Sequence, residues 1–511
     1  MFRRRWSGLP ADPVFESDFK ELGYFINDID EIRSVEDPDY YFKYFLTKNE
    51  RWNECQRFAF NQAVIKEIRT RLDTQGFTTV PLPLGTPTTQ PHVPILTSPD
   101  LSTKSRVVLL IGESYQPLGV LAHRVIGGRG GITRGSVLSL VAALNGQQSS
   151  AADPSPPGIV LANAGELWWW PEGGKGLTPM DRHRVPMASA VHLGRYHDPK
   201  VNEVPGNRTV AEHVRAVFEN VVLGGLVNSK ATIDVIAVGD AVDEVERYLD
   251  DDAVWERLGG KLGCLVVLGG FYDSKKFRCE RFRRFMKERA RAYIIHHTPL
   301  DTPVAGAGGN PGAAGFTSFG CPVYSAGEAQ VTETMLIEAQ PAVLEWIQEV
   351  ALEGAAYKNA VIEVFGEEGS GITTEELDSA WGAPETNASE EDEAKARTEV
   401  KAKSNRANGD GREEQESAEV EDDKTKTSVK AAKDGQSENN RVNGGGSEAQ
   451  EPASDTAKAD VKAQAVEDSQ VINNRVSGYD RKPQFSPAPD GPEARDMKEL
   501  VKELEELKID N

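Results

Sequence analysis

Thr232-Ile-Asp-Val-Ile-Ala-Val-Gly-Asp-Ala-Val242 is the stretch that decides the fold. Its first seven residues form a β-branched apolar run of buried-strand length, and from Asp243 the spacing changes to a helical one. Between them lies a turn centred on Gly239 and Asp240. A sharp strand-to-helix turn needs small residues two positions either side of its apex, so that the strained backbone can pass. With Gly239 at the apex those positions are Ala237 and Ala241; with Asp240 there they are Val238 and Val242, both bulky. Sterics therefore put Gly239 at the apex.

Working outward, the same kind of short β-branched run recurs at 106–111, 158–162, 264–268 and 291–296. Such continuous apolar runs are expected of parallel strands buried on both faces. Helical patterns separate them at 123–144, 209–223, 243–258 and 274–290, with a last one at 341–355. The alternation predicts an α/β fold with a doubly wound, mostly parallel sheet. Upstream, 22–32 reads as a strand-like segment with Phe25, Asp28 and Ile29 alternating. Residues 49–72 read as a helix whose apolar stripe is Phe58, Ile65, Ile68 and Leu72, and 81–94 as a Pro-rich loop.

The composition changes sharply after Trp381. From Gly382 to Gly478 there is no Leu, Phe, Trp, Met, Tyr or Cys, so the stretch has too little apolar surface to offset the entropy of ordering it. It contains a degenerate repeat, Asn-Arg-Ala-Asn-Gly from Asn405, Asn-Arg-Val-Asn-Gly from Asn440 and Asn-Arg-Val-Ser-Gly from Asn474, without a bulky face on which neighbours would stack. At the end, Met497, Leu500, Val501, Leu504 and Leu507 share one helical face, a pattern for a docking helix. The expected organisation is an extension over 1–20, an α/β domain over 21–357, a disordered acidic tail over 358–495 and a short amphipathic helix over 496–511.

The net charge of −22 is concentrated toward the end of the chain and disfavours nonspecific binding to a phosphate backbone. Four cysteines, at 55, 264, 279 and 321, show no paired spacing, and no apolar run reaches membrane-spanning length. A reducing compartment, nuclear or cytoplasmic and not secretory, is expected. No metal-ligand spacing, phosphate-binding loop or other cofactor motif is present: the glycines of 127–131 lack the Lys-Ser/Thr that a phosphate loop requires, and His192 and His197 stand without a Cys or carboxylate at ligand spacing.

A strand-to-helix turn of this shape carries the nucleophile of an α/β-hydrolase, and glycine has no side chain with which to attack a carbonyl. The acid of a hydrolase triad would follow a later strand, where Asp301 stands in Thr298-Pro-Leu-Asp-Thr-Pro. The histidine should come last, yet none follows His297. The expected result is an α/β-hydrolase-like domain with a vestigial elbow at Gly239, an acid position at Asp301 and no catalytic residues. The competing reading is an esterase with a displaced nucleophile, Ser114, served by His296 or His297.

Leu22-Gly-Tyr-Phe-Ile-Asn-Asp-Ile-Asp-Glu-Ile-Arg33, the 49–72 helix, Pro299-Leu-Asp-Thr-Pro303 and Ser325-Ala-Gly327 resemble the argonaute-binding-protein-two family, fungal type, over about residues 22–355. That resemblance implies an α/β-hydrolase-like fold. In some members of the family a serine stands at the elbow and a histidine just after the Ser-Ala-Gly element; here those positions are Gly239 and about Val331. It further implies protein partners in an argonaute-associated or chromatin-silencing complex, handling small RNA in heterochromatin.

Two surfaces are candidates for partner contact. Trp168, Trp169 and Trp170 follow a strand end, where they form either a hot spot for a partner or a cap on the core, and Leu500, Leu504 and Leu507 are the apolar face of the terminal helix. Arg281, Arg284 and Lys287 lie in the basic segment 274–290 and are candidates for RNA contact, the third reading being an RNA-binding accessory protein.

Overall fold

A computed structural model of the chain describes residues 8–362, apart from 193, 194 and 314. These fall within the first of two units, 1–385. Leu500, Leu504 and Leu507, with the tail and its repeats, lie outside the described residues.

The strands, in chain order, are β1 (Tyr24–Ile26), β2 (Ile32–Ser34), β3 (Thr78–Leu82), β4 (Val93–Thr97), β5 (Arg106–Ile111), β6 (Gly158–Ala162), β7 (Trp168–Trp170), β8 (Lys175–Leu177), β9 (Thr232–Val238), β10 (Leu262–Leu268), β11 (Ala290–Ile294), β12 (Pro303–Ala305) and β13 (Val323–Ser325). Nine of them form one sheet in the order β12-β13-β11-β10-β9-β5-β6-β4-β3, while β1–β2 and β7–β8 are separate hairpins. The centre is parallel, from β6 through β5, β9, β10 and β11 to β13. Antiparallel strands finish both edges. The fold is thus the doubly wound, mostly parallel α/β sheet that the runs predict.

Alternation along the central strands feeds two cores. In β9, Ile233, Val235 and Ala237 face one layer of helices, and Ile236 and Val238 face the other. The first layer is built by Val210–Ala216, Ala241–Leu249, Asp252–Leu258 and Glu280–Arg289; the second by Glu50–Thr74, Val137–Leu144 and Thr332–Glu353. All residues of β5, β6 and β10 are buried, which is why each reads as an uninterrupted apolar run.

Several elements differ from their sequence reading. Residues 22–32 are not one strand: β1 and β2 pair about a turn in which the Asn27 side chain accepts the backbone N–H groups of Ile29 and Glu31. The 81–94 loop holds the end of β3 and the start of β4. The 123–144 pattern is three short helices, and 274–290 is a single 3₁₀ turn followed by the helix Glu280–Arg289. The last helix starts at Thr332 and carries Pro341 within it.

The domain also reaches beyond 21–357 on both sides. Asp12 accepts the guanidinium of Arg51 and the N–H of Met187, and Phe19 packs edge-on against Phe60. Past Tyr357, the Asn359 amide donates to the carbonyl of Ala290 at 2.8 Å.

Candidate functional site

The elbow stands where the sequence places it. Gly239 follows β9 directly, has φ of +66°, and its N–H donates to the carbonyl of Leu268 at 2.8 Å; the helix begins at Ala241. Left-handed backbone costs an L-residue roughly 1–2 kcal/mol, so glycine suits the apex. A side chain there would also meet Glu113, in the loop after β5. A Cβ on Gly239 would lie 2.8 Å from Cγ of Glu113, well inside van der Waals contact, so this half-buried side chain would have to swing aside to admit it.

The oxyanion position is altered as well. A hydrolase of this architecture stabilises its oxyanion with the N–H after the nucleophile and an N–H from the loop after the third strand of the sheet. Counting along the chain, β5 is that third strand, and its loop carries Ser114. The Ser114 N–H donates at 3.1 Å to the carboxylate of Asp240, and the Ser114 hydroxyl donates to the other oxygen of the same carboxylate. Both donors of Ser114 are thereby engaged by a carboxylate of the turn itself. A small recess of about 20 Å³, close to the volume of one water, lies among the loops after β5 and β6, lined in part by Gly112, Glu113, Gln116, Leu118 and Asn163.

Around this turn the loops are cross-linked. The Gln116 amide donates to Glu333 at 2.9 Å, and Arg124 forms an ion pair with the other oxygen of Glu333. Both contacts join the segment after β5 to the first turn of Thr332–Glu353, immediately after Val331. Glu166, after β6, accepts from the Leu118 N–H and the Asn163 amide, yet burial, the largest influence, pushes its carboxyl above the usual carboxylate range.

Asp301 occupies the acid loop after β11 but works as a strand clamp. It has φ of +61°, its N–H donates to the carbonyl of Ser325 at 3.0 Å, and its carboxylate accepts from the Tyr293 hydroxyl at 3.3 Å with Arg291 at 4.0 Å. Partial burial raises its pKa, against the pull of Arg291. No imidazole is bonded to it among the described contacts. His296 bonds to Thr298 at 2.9 Å and its ring lies 4.2 Å from that of His297, beside an open groove of about 740 Å³. The hydrogen bonds of Ser114 go to Asp240, and those contacts do not assemble the displaced Ser–His pair. A Ser–His contact does occur between Ser189 and His192, 2.9 Å, but within a tight turn where Ser189 is buried.

Of the tryptophans, Trp168 and Trp169 are buried and Trp170 is half-buried. Trp168 packs with Phe58, Leu177 and Val185; Trp169 packs with Val93 and Val204 and lies against the His92 ring. The trio lies against two small cores, as a cap on the core would, with Trp170 half-buried at their margin. In the basic segment Arg281 is paired with Glu256 and Asp252, whereas Arg284 and Lys287 are exposed one turn apart. No group of three potential metal ligands occurs among the described residues, and none of their helices is long and apolar enough to cross a membrane.

The sequence reading missed Glu113 and the Asp240–Ser114 latch. The available signal was an acid immediately after the apex glycine and another immediately after Gly112 at the end of β5.

The sheet, the elbow after β9 and the acid loop after β11 define an α/β-hydrolase-like domain with glycine at the nucleophile position. The chain belongs to the Arb2 domain family, whose model matches residues 15–300, more than half of its length. It is also similar to solved structures: a truncated carbohydrate esterase from gut microbiota at 8% identity, covering 50% of this chain and 90% of that one with a TM-score of 0.24. The peroxisomal alpha-beta-hydrolase Lpx1 of Saccharomyces cerevisiae is 9% identical, with 64% and 97% covered and a TM-score of 0.27. The glucuronoyl esterase of Solibacter usitatus is 10% identical, with 52% and 79% covered and a TM-score of 0.25. Nothing about substrate or chemistry follows from likenesses of this size. None of the curated proteins matches the chain in sequence.

Proposed function

We propose that this protein is a non-catalytic partner-binding member of its family, a scaffold in small-RNA-directed gene silencing or heterochromatin assembly whose partners are argonaute-associated or chromatin-silencing proteins in the nucleus, the cytoplasm or both. The elbow carries this reading: Gly239 stands at the apex, and Glu113 Cγ would come within 2.8 Å of any Cβ placed there. Acyl transfer needs a nucleophile, a base and an oxyanion hole. The first position is a glycine, the second has no imidazole bonded to the elbow or to Asp301 among the described contacts, and the third has its Ser114 donor bound to a carboxylate. Family membership supplies the direction of the partner assignment.

The test combines two measurements on the full-length chain. Affinity purification of the tagged protein from its own cells is expected to recover argonaute or silencing factors. A fluorophosphonate probe is expected to leave the protein unlabelled. Labelling that disappears in Ser114→Ala, with no silencing factor recovered, would establish the displaced-nucleophile esterase instead.

A further inference from the structure

At the end of the sheet opposite the elbow, a cavity of about 520 Å³ opens at the N-terminal ends of the three central strands. Arg106, Thr232 and Leu262, the first residues of β5, β9 and β10, line it together with Ser149, Lys261 and Arg289. Strands of this length hold it ~20 Å from Gly239, so it is separate from the hydrolase-like cleft. Its volume falls in the range of small-molecule sites, ~300–1,000 Å³.

The floor is a buried ion pair. Arg106 and Asp234 are almost wholly removed from solvent, with Nε of Arg106 donating to Asp234 at 2.6 Å. The other end of Arg106 donates to Gln147, to the carbonyl of Gln148 and to that of Ile347, which fixes the helix Thr332–Glu353 to the sheet. This accounts for Arg106 and Asp234 structurally. It leaves three other groups unexplained. The Ser149 hydroxyl is buried and has no hydrogen-bond partner, a costly state in a protein interior. Arg289 gives one N–H from each nitrogen to the carbonyls of Gly263, Tyr357 and Gly354, and its fork retains two more. Lys261 donates to the carbonyl of Ser229 and keeps its remaining donors. With Asp234 neutralised by Arg106, the lining carries the charges of Lys261 and Arg289 and no opposing acid.

We propose that this cavity is an anion site, which takes a carboxylate or phosphate group against Lys261, Arg289 and the Ser149 hydroxyl. The anion is that of a small polar molecule, whose size the cavity admits.

The experiment uses the full-length chain with inorganic phosphate and citrate as probes. Millimolar concentrations of either are expected to raise the thermal midpoint. Lys261→Glu and Ser149→Ala should each weaken that response about tenfold or more, the worth of one charge-assisted hydrogen bond. Without ligand Ser149→Ala should be at least as stable as the parent, since it removes only an unpartnered hydroxyl. Absence of a thermal response, or a response unchanged in both variants, would overturn the proposal.

Discussion

Gly239→Ser is the substitution that a search for lost catalysis would make first, and its expected result is a weaker protein with no activity. The new side chain meets two costs. Holding φ at +66° with a Cβ costs ~1–2 kcal/mol. The same Cβ lies 2.8 Å from Glu113 Cγ, an overlap that this flexible, half-buried side chain relieves by shifting, at ~0.5–1.5 kcal/mol for a displaced rotamer. The sum is ~1.5–3.5 kcal/mol, read as a lower urea midpoint at unchanged slope. Glu113→Ala in the same chain removes Cγ, so the double variant should recover the second cost and retain the first. Neither variant should react with a fluorophosphonate, because among the described contacts no imidazole is bonded to the elbow to take the serine's proton. Two results would refute the reasoning: a single variant within ~0.5 kcal/mol of the parent, which places it among ordinary surface changes, or a double variant no more stable than the single one.

Other buried groups give sharper tests of the fold. Glu246 is fully buried and neither carboxyl oxygen has a hydrogen-bond partner; burial raises its pKa well above 4.5. The folded protein therefore keeps a proton that the unfolded chain releases, so stability falls as pH rises past about 4.5, and Glu246→Met should abolish that decline and gain ~1–3 kcal/mol at neutral pH by chemical denaturation. His213 works in the opposite sense. Its Nε2 accepts the Asn163 N–H at 3.0 Å, its Nδ1 bonds to Asn207 at 2.8 Å, and burial lowers its pKa from 6.5 to about 3. Stability should thus fall as pH drops from about 6.5 toward 3, and His213→Gln should flatten this part of a stability–pH profile. Arg106→Met leaves Asp234 charged and buried and is expected to cost ~3–5 kcal/mol, while adding Asp234→Leu should recover most of the loss in a denaturation series.

The parts of the fold legible in the sequence are those where burial acts on consecutive residues. β5, β6, β9, β10 and β11 lie between two helical layers, so nearly every position is apolar and the runs stand out. β12 and β13 are three residues long, and β3 and β4 carry prolines at the antiparallel edge, so none of the four gives a run of that kind. The elbow was legible because its constraint is local, in the small residues at 237 and 241. Its filling was not. Ser114 and Asp240 are separated by 126 positions, and nothing in Gly112-Glu113-Ser114 indicates that the glutamate will rest against the backbone of Gly239. The tryptophans show the converse ambiguity: three aromatics satisfy a core cap and a hot spot equally well, and only their packing against Phe58, Val93 and Val204 decides between the two.

The turn at Gly239 has a structural role of its own, and its contacts supply it. Its N–H bonds to Leu268 and joins the ends of β9 and β10, while the turn presents Asp240 to both donors of Ser114 and joins the loop after β9 to that after β5. Three adjacent strand ends are thus held by one turn. With glycine at the apex there is no side chain to obstruct Glu113, which rests beside the turn. The Asp240 latch then sets a carboxylate against the donor that hydrolysis would need. Shape and chemistry at an elbow are therefore separable: the backbone requirement belongs to the sheet and persists with it, whereas the side-chain requirement belongs to the reaction, and at Gly239 only the former is met.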